Sequence, residues 1–468
     1  MERLLERELK LDPDAGFHLP DLPGTALEPR VFTSTYVDTP PRSLARAGIT
    51  LRRRLENGRS RWQLKLPRAE GRAELESAGG PAGPPAELRD LLTVHLRHGP
   101  LEPVATLRTR RSGVRVTDGP RPLADVTVDT VDVVDGGRAS QGFVELEVEL
   151  VEGDDHDLER LGRLLRRAGA QRSDGRPKLL RVLDLPPEAD LAAGAPASAR
   201  LQALLAAQLA AIERYDPGAR HGDDPEDVHR LRVATRRSRA LIDVTKPVLG
   251  EALAPLAGEL RWLAGLLGDV RDLDVLIERL LGEAETLDED AAGAATIVAA
   301  LVEERDRARE ALLAGLSSER YLALLTSFEE SVALLPELDV DGGWKPTAAQ
   351  ALKRLARDAR KLPDEPADDE LHDLRKRAKK ARYAGELAAL GGSRAVARYV
   401  DALKVVQDAI GEHQDAVVAE ERLRALARAR TAIATGRLIE RERARRAAAR
   451  AGYRSLLDAA LSAGRKAL

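Results

Sequence analysis

"LLERELKL", residues 4–11, is the stretch on which the fold turns. In an extended chain side chains alternate, so Glu6, Glu8 and Lys10 project from one face. A strand that carries two acids and a base on one side, so near its start, needs a reason. The same arrangement recurs with other charges. "LRRR" puts Arg52 and Arg54 on one face, and "WQLKL" sets Lys65 opposite Leu64 and Leu66. "TLRTRR" pairs Arg108 with Arg110. "FVELEVEL" aligns Glu145, Glu147 and Glu149 against Leu146, Val148 and Leu150.

Solvated sheet faces usually mix both signs with Ser, Thr and Gln. Here acids concentrate on the first and last strong strands, and bases lie on the strands between. Same-face neighbours on a strand are about 7 Å apart. Two carboxylates at that distance repel by roughly 0.6 kcal/mol in water and roughly 2.4 kcal/mol at an effective dielectric of ~20. Three in a row inside a closed barrel call for a cation. Oxygen-only ligands suit Mg²⁺ or Mn²⁺. A neighbouring wall of Arg and Lys suits the oxygens of a phosphate chain.

Composition narrows the classes. The 468 residues are 43% apolar, 32% charged and only 3% aromatic, with a net charge of −3. No global basic field advertises a polyanion, so any such partner must be read from local patches. The absence of cysteine removes disulfides and thiolate chemistry, and suits a reducing cytoplasm. The opening residues do not read as a signal peptide, and the longest apolar run, "AAGAATIVAALV" (291–302), is too short to span a bilayer. The expectation is a cytoplasmic protein with no membrane partner.

The texture of the chain changes near residue 190. Before it, short alternating segments punctuated by Gly and Pro predict an α+β region with a mainly antiparallel sheet. After "LPPEADLAAGAPASA" (185–199) come long Ala/Leu/Arg/Glu segments of helical period. This predicts domains at 1–185 and 198–468 with a linker at 186–197.

The all-α half repeats. "VHRLRVATRRSR" (228–239) matches "LHDLRKRAKKAR" (371–382), and "LGDVRDLDV" (267–275) matches "IGEHQDAVV" (410–418). His229 and His372, Gly268 and Gly411, Asp272 and Asp415 are all 143 apart (for example 372 − 229 = 143). On a helix His229, Arg232, Arg236 and Arg239 fall within an arc of about 80°. His372, Arg375, Lys379 and Arg382 do the same, with Arg237 and Lys380 flanking. Exposed helices normally interleave acids with bases at i+3 and i+4, and these stripes contain none. An anion-binding face is the better reading. Sparse aromatics, with no groove-reading motif, argue against nucleic acid.

"ERELK" resembles the ExExK signature of the CYTH family, the triphosphate tunnel metalloenzymes. "YVDTP", "AGITLRRR", "RWQLKLP", "RAELE", "VATLRTRR", "VTVDTVD", "FVELEVEL" and "RPKLLR" follow in the order the family shows. The resemblance implies an eight-stranded antiparallel tunnel with its charged faces turned inward. It implies Glu6, Glu8, Asp129, Glu145 and Glu147 as metal or water-positioning acids. It implies Lys10, Arg52, Arg54, Lys65, Arg72, Arg108, Arg110 and Lys178 as contacts to substrate phosphates. The implied activity is metal-dependent hydrolysis of inorganic triphosphate or short polyphosphate. A thiamine triphosphatase, a class IV adenylyl cyclase and a non-catalytic binder on polyphosphate granules are the alternatives. The second half resembles the CHAD domain through "VHRLRVATRRSR", "LRWLAGLLGDVRDLDV", "LHDLRKRAKKARYAGEL" and "LKVVQDAIGEHQDAV". That implies two four-helix bundles binding inorganic polyphosphate through the two stripes, with His413 of "HQDA" among the binding residues. Gln414 stands where the first repeat has Arg271, so the halves are not equivalent.

Overall fold

The first strand pairs with both sides of the sheet it opens. In a computed structural model, β1 (Glu2–Glu6) and β2 (Glu8–Pro13) are separated by Arg7 alone. The structure describes residues 2–68, 71–135, 138–185, 195–335 and 343–468, with only the backbone for 2–6 and 139–141. The remaining strands are β3 (Gly24–Asp38), β4 (Thr50–Glu56), β5 (Arg59–Pro67), β6 (Arg72–Ala78), β7 (Glu102–Asp118), β8 (Arg121–Asp135), β9 (Arg138–Leu150) and β10 (Ala170–Arg172). Their order in one sheet is β1-β6-β5-β4-β3-β7-β8-β9-β2-β10, and every pairing is antiparallel. β1 pairs with β6 while β2 pairs with β9, so the chain through Arg7 joins the two sides of the sheet into a ring. The Arg7 carbonyl accepts from the Leu150 N–H at 3.0 Å. The expected count was eight. Ten appear among the described residues because the interruption at Arg7 splits the first strand and the short β10 adds an edge.

The alternation has its usual polarity reversed. Leu146 and Val148 of β9 are fully buried on the outside of the ring, packed with Leu11, Val126, Leu161 and Leu165. The helix Asp155–Arg167 covers them. Glu145 and Glu147 point the other way and are also buried. Leu51, Leu64, Leu66 and Leu75 of β4–β6 likewise pack outward against Leu88, Leu91 and Leu92. Outer burial of this aliphatic layer, at about 25 cal/mol per Å², holds the barrel and leaves its interior for charge. The β4–β5 turn, Asn57-Gly58, has φ of 49° and 73°, the left-handed pair a two-residue hairpin needs.

The helices of this region are α1 (Ser43–Arg46), α2 (Ala86–Leu91), α3 (Thr93–Leu96), α4 (Asp155–Arg167) and α5 (Lys178–Val182). α4 starts on a capping box between Asp154 and Asp157. Beyond them come α6 (Ala197–His221), α7 (Pro225–Leu249), α8 (Ala254–Ala284), α9 (Ala291–Leu316), α10 (Glu319–Leu334), α11 (Lys345–Ala359), α12 (Asp368–Ala389), α13 (Arg394–Leu426), α14 (Ala432–Ala451) and α15 (Tyr453–Ala467). α7 and α12 begin 143 residues apart (368 − 225), in the register of the sequence repeat. α11, α12, α13 and α15 enclose one core around Leu355, Leu374, Tyr399 and Leu403. The later halves of α8 and α13 enclose another with α9 and α14, around Leu280, Leu301, Leu423 and Leu438.

The chain divides into two compact units, Met1–Glu188 with Asp216–His221, and Ala189–Tyr215 with Gly222–Leu468. Of the expected linker, residues 186–194 lie outside the described residues. No described helix is long and apolar enough to cross a membrane.

Candidate functional site

The barrel encloses a cavity of about 360 Å³ with two chemically different walls. One wall is β2 and β9, whose register sets Glu8 opposite Glu149 and Lys10 opposite Glu147. Lys10 Nζ lies 3.1 Å from Glu147, 3.5 Å from Glu8 and 3.6 Å from Glu145. α5 inserts Lys178 from beyond the sheet, and its ammonium pairs with Glu145, Glu147 and Asp129, the last at 3.1 Å. From β7, Arg111 grips Asp129 with Nε and Nη2 at 2.7 and 2.6 Å and also reaches Glu147.

These contacts divide the two buried glutamates. Burial raises the Glu147 carboxyl, but Lys178, Lys10 and Arg111 outweigh it and hold the group well below the ordinary carboxylate range. Burial raises Glu145 as well, and there Lys178 and Lys10 offset it only in part, so its carboxyl sits above the ordinary value. Burial would lower Lys178 and Lys10, yet the acids around them push both upward.

The other wall is β3–β6. Arg52 donates Nε to Gln63 at 2.7 Å and Nη1 to the Tyr36 hydroxyl at 3.1 Å. Arg54 donates Nη2 to Glu56 at 2.7 Å, and its buried Nε–H has no hydrogen-bond partner. Burial, then the neighbouring Arg52, lowers the Arg54 guanidinium to about 10. Lys65 lies 3.0 Å from Glu74, and Arg30, Arg61 and Arg72 add further bases to a wall that also holds Glu56 and Glu76.

The expected residues are thus sorted. Glu8, Lys10, Arg52, Arg54, Lys65, Arg72, Glu147 and Lys178 line the cavity. Asp129 and Glu145 are fully buried and held by lining bases. The Glu6 side chain lies outside the described residues. Arg108 and Arg110 need correction: both are exposed, and Arg110 pairs with Asp132 at 2.9 Å. The inward face of β7 is the other one, with Leu107, Thr109 and Arg111. Sequence reading missed Arg111, although its strand partner Asp129 was already an expected inward acid. It also missed Phe32 and Tyr36, the rings that β3 contributes to the lining.

A hard divalent cation fits this donor set. Glu8 and Glu149 face each other across β2 and β9 with Lys10 3.5 Å from Glu8, an all-oxygen set of acids of the kind a hard cation takes. The three-residue grouping whose ligand atoms lie within 4.8 Å among the described residues is instead Asp154, His156 and Asp157, at the start of α4. Asp154 and Asp157 there already cap the helix.

In the helical unit the two stripes meet. Lys379 of α12 is lowered to about 7 by burial, then by Arg236, Arg375, Arg239 and Arg382, bases drawn from both α7 and α12. Arg232 pairs with Asp272 at 2.8 Å, and Asp415 faces Arg375 in the matching place. Arg237 and Arg382 share Glu386, at 3.0 and 3.6 Å. His229 and His372 are half-buried, and burial with Arg271 lowers His229. Two expected members stand apart. Lys380 turns to a small groove with Asp243, Pro247 and Arg354. His413 is buried, its Nε2 3.1 Å from Asp368, where Arg446 also binds at 3.1 Å. It lies where α13 meets the start of α12.

A family model of the CYTH domain matches residues 4–176, and one of the CHAD domain matches residues 203–424. Two uncharacterized proteins of Mycobacterium tuberculosis, from strains CDC 1551 and H37Rv, are each 33% identical, over 90% of this chain and 88% of theirs. Among solved structures, PptA from Streptomyces chartreusis is 23% identical, with a TM-score of 0.47, over 56% of this chain and all of that one. The CHAD domain from the plant Ricinus communis is 28% identical, with a TM-score of 0.45, over 61% of this chain and 98% of that one.

Proposed function

We propose that this chain, which belongs to the CYTH family and carries a CHAD domain after it, is a divalent-metal-dependent hydrolase of inorganic triphosphate and short polyphosphate whose helical unit binds inorganic polyphosphate. The observation that carries the reading is the charged cavity, in which the acids of β2 and β9 stand across from a β4–β6 wall where Arg52, Arg54, Arg61, Lys65 and Arg72 outnumber Glu56, Glu74 and Glu76. Glu8, Glu147 and Glu149, with Glu6 beside them in the chain, are the residues that would hold Mg²⁺ or Mn²⁺. Bound there, the ion would supply charge to neutralise phosphate oxygens and activate a water. Arg54 offers its unspent Nε–H to a phosphate oxygen, and Lys65 and Arg72 add charge along the chain. The work of these residues is positioning and charge neutralisation in a confined site. The Arg and Lys stripes of α7 and α12 supply the polyphosphate-binding face of the helical unit, and a place on cytoplasmic polyphosphate granules would follow from it.

The test is phosphate release from tripolyphosphate, thiamine triphosphate, ATP and long polyphosphate, with Mg²⁺ and with Mn²⁺. Release from tripolyphosphate fastest of the four is expected, and no metal-dependent release from any of them defeats the reading. One observation favours a binding-only alternative: Lys10 and Lys178 already place ammonium groups among Glu145 and Glu147. Tight tripolyphosphate binding without turnover would select it.

A further inference from the structure

Phe32 sits where a phosphate-binding cavity has least use for a phenyl ring. It is 3% exposed, lines the charged cavity, and presents its ring to two guanidinium groups. The Arg54 carbon Cζ lies 3.7 Å from the ring centroid, and that of Arg111 lies at 5.8 Å. Those arginines come from β4 and β7, the two strands that flank β3.

The two arginines of "LRRR" are not equivalent. Arg52 has spent its Nε–H on Gln63 and an Nη on Tyr36, so its orientation is fixed by hydrogen bonds. Arg54 has one partner, Glu56, at one end, and a buried Nε–H aimed at no acceptor. A buried donor without a partner is costly to keep. An aromatic face can hold a desolvated guanidinium without consuming any of its donors. The ring therefore fixes the plane of Arg54 and leaves its Nε–H for a ligand.

From this geometry, and resting on the triphosphatase reading above, we infer that Phe32 is a positioning residue that pre-orients Arg54 to take one phosphoryl oxygen of the triphosphate, whereas Arg52 is a strut. Lowering the cost of ordering Arg54 before binding shows in substrate affinity more than in the chemical step.

The experiment uses the full chain with Mg²⁺ and tripolyphosphate, measured by phosphate release and by calorimetric binding. Phe32→Leu and Phe32→Met keep an apolar side chain and remove the π face; Phe32→Tyr keeps the face. KM and Kd should rise about tenfold in the Leu and Met variants, with a smaller change in kcat. The Tyr variant should return both to within about threefold of wild type. In an Arg54→Ala background Phe32→Leu should have no further effect on Kd, because the two act through one contact. A Leu or Met variant that melts earlier but keeps the wild-type KM and Kd makes Phe32 a packing residue and overturns the inference alone. An additive effect in the Arg54→Ala background overturns it too. Wild-type protein that neither binds nor hydrolyses tripolyphosphate overturns the functional reading, and this inference with it.

Discussion

The barrel and the helical unit both gather basic side chains, and the bases among the barrel's buried acids, unlike Arg54 on its other wall, are treated in the opposite way to those of the helices. In both, burial alone would lower every buried Lys and Arg. Inside the barrel, Lys10, Lys178 and Arg111 lie among carboxylates and are pushed above their ordinary values. On α7 and α12, burial and then neighbouring bases push Arg239 and Lys379 below theirs, and at Arg232 and Arg375 burial outweighs Asp272 and Asp415 to the same end. The first is a nearly balanced lattice of charge, in which an anion must bring its own cation or displace an acid. The second is an unbalanced surface that a polyanion completes. Affinity in the barrel should therefore follow divalent metal, and affinity on the helices should follow salt.

The sharpest break between the two comes from Glu8. Glu8→Gln should reduce metal-dependent tripolyphosphate release on the order of 10²–10³-fold with an unchanged circular dichroism spectrum. It should leave polyphosphate binding by residues 198–468 untouched. Full activity in that variant removes the acids from any metal site. Next in size is the loss expected from stripping one helix. Each charged hydrogen bond to phosphate is worth about 1.5–3 kcal/mol. Replacing Arg232 with Arg236, or Arg375 with Lys379, should weaken polyphosphate binding by several kcal/mol and flatten the salt slope. If only the α7 pair matters, the two stripes do not share a ligand.

Stability offers a smaller effect. The folded Glu147 carboxyl is depressed, so its contribution is present above the ordinary glutamate value and lost as pH falls through the folded value. Glu147→Gln should therefore destabilise the protein at neutral pH by about 3 kcal/mol, since it strands Lys178 and Lys10, and should flatten the acid limb of a thermal melt. An unchanged acid limb would show that the charge is balanced elsewhere. The smallest effect belongs to Lys379. It is neutral above about pH 7 in the free protein, and a bound polyanion favours its protonated form. Polyphosphate affinity should fall from about pH 7 upward, by at most tenfold per unit, and Lys379→Arg should abolish that slope. A slope that persists in the arginine variant shows that Lys379 does not carry it.

How much of this was legible in the sequence depends on what periodicity can say. Alternation told which residues share a face, and so placed Glu8, Lys10, Arg52, Arg54 and Lys65 together. It did not say which face of β7 turns inward, because Arg108, Arg110 and Arg111 offer bases in both phases. Helical spacing put Lys380 beside the stripe at the right angle, but the groove between α7, α11 and α12 that claims it is a tertiary fact. His413 lay in a repeat match, yet its partner Asp368 is 45 residues away (413 − 368) on another helix. Phe32 was invisible for a different reason: a lone ring in a strand reads as core, and its role depends on which arginines flank it in the sheet.

The interruption at Arg7 also dictates an order of assembly. Glu2 pairs with Glu76, 74 residues later, and Glu8 with Glu149, 141 residues later. β1 can therefore pair once β6 exists, whereas β2 waits for β9. Pairings of such sequence separation slow folding, since loop closure must precede the contacts that reward it. The hairpins β3–β4, β4–β5 and β7–β8 can form beforehand from local contacts. Closure of the ring and completion of the acidic wall then become one event, so a chain arrested before Leu150 has neither.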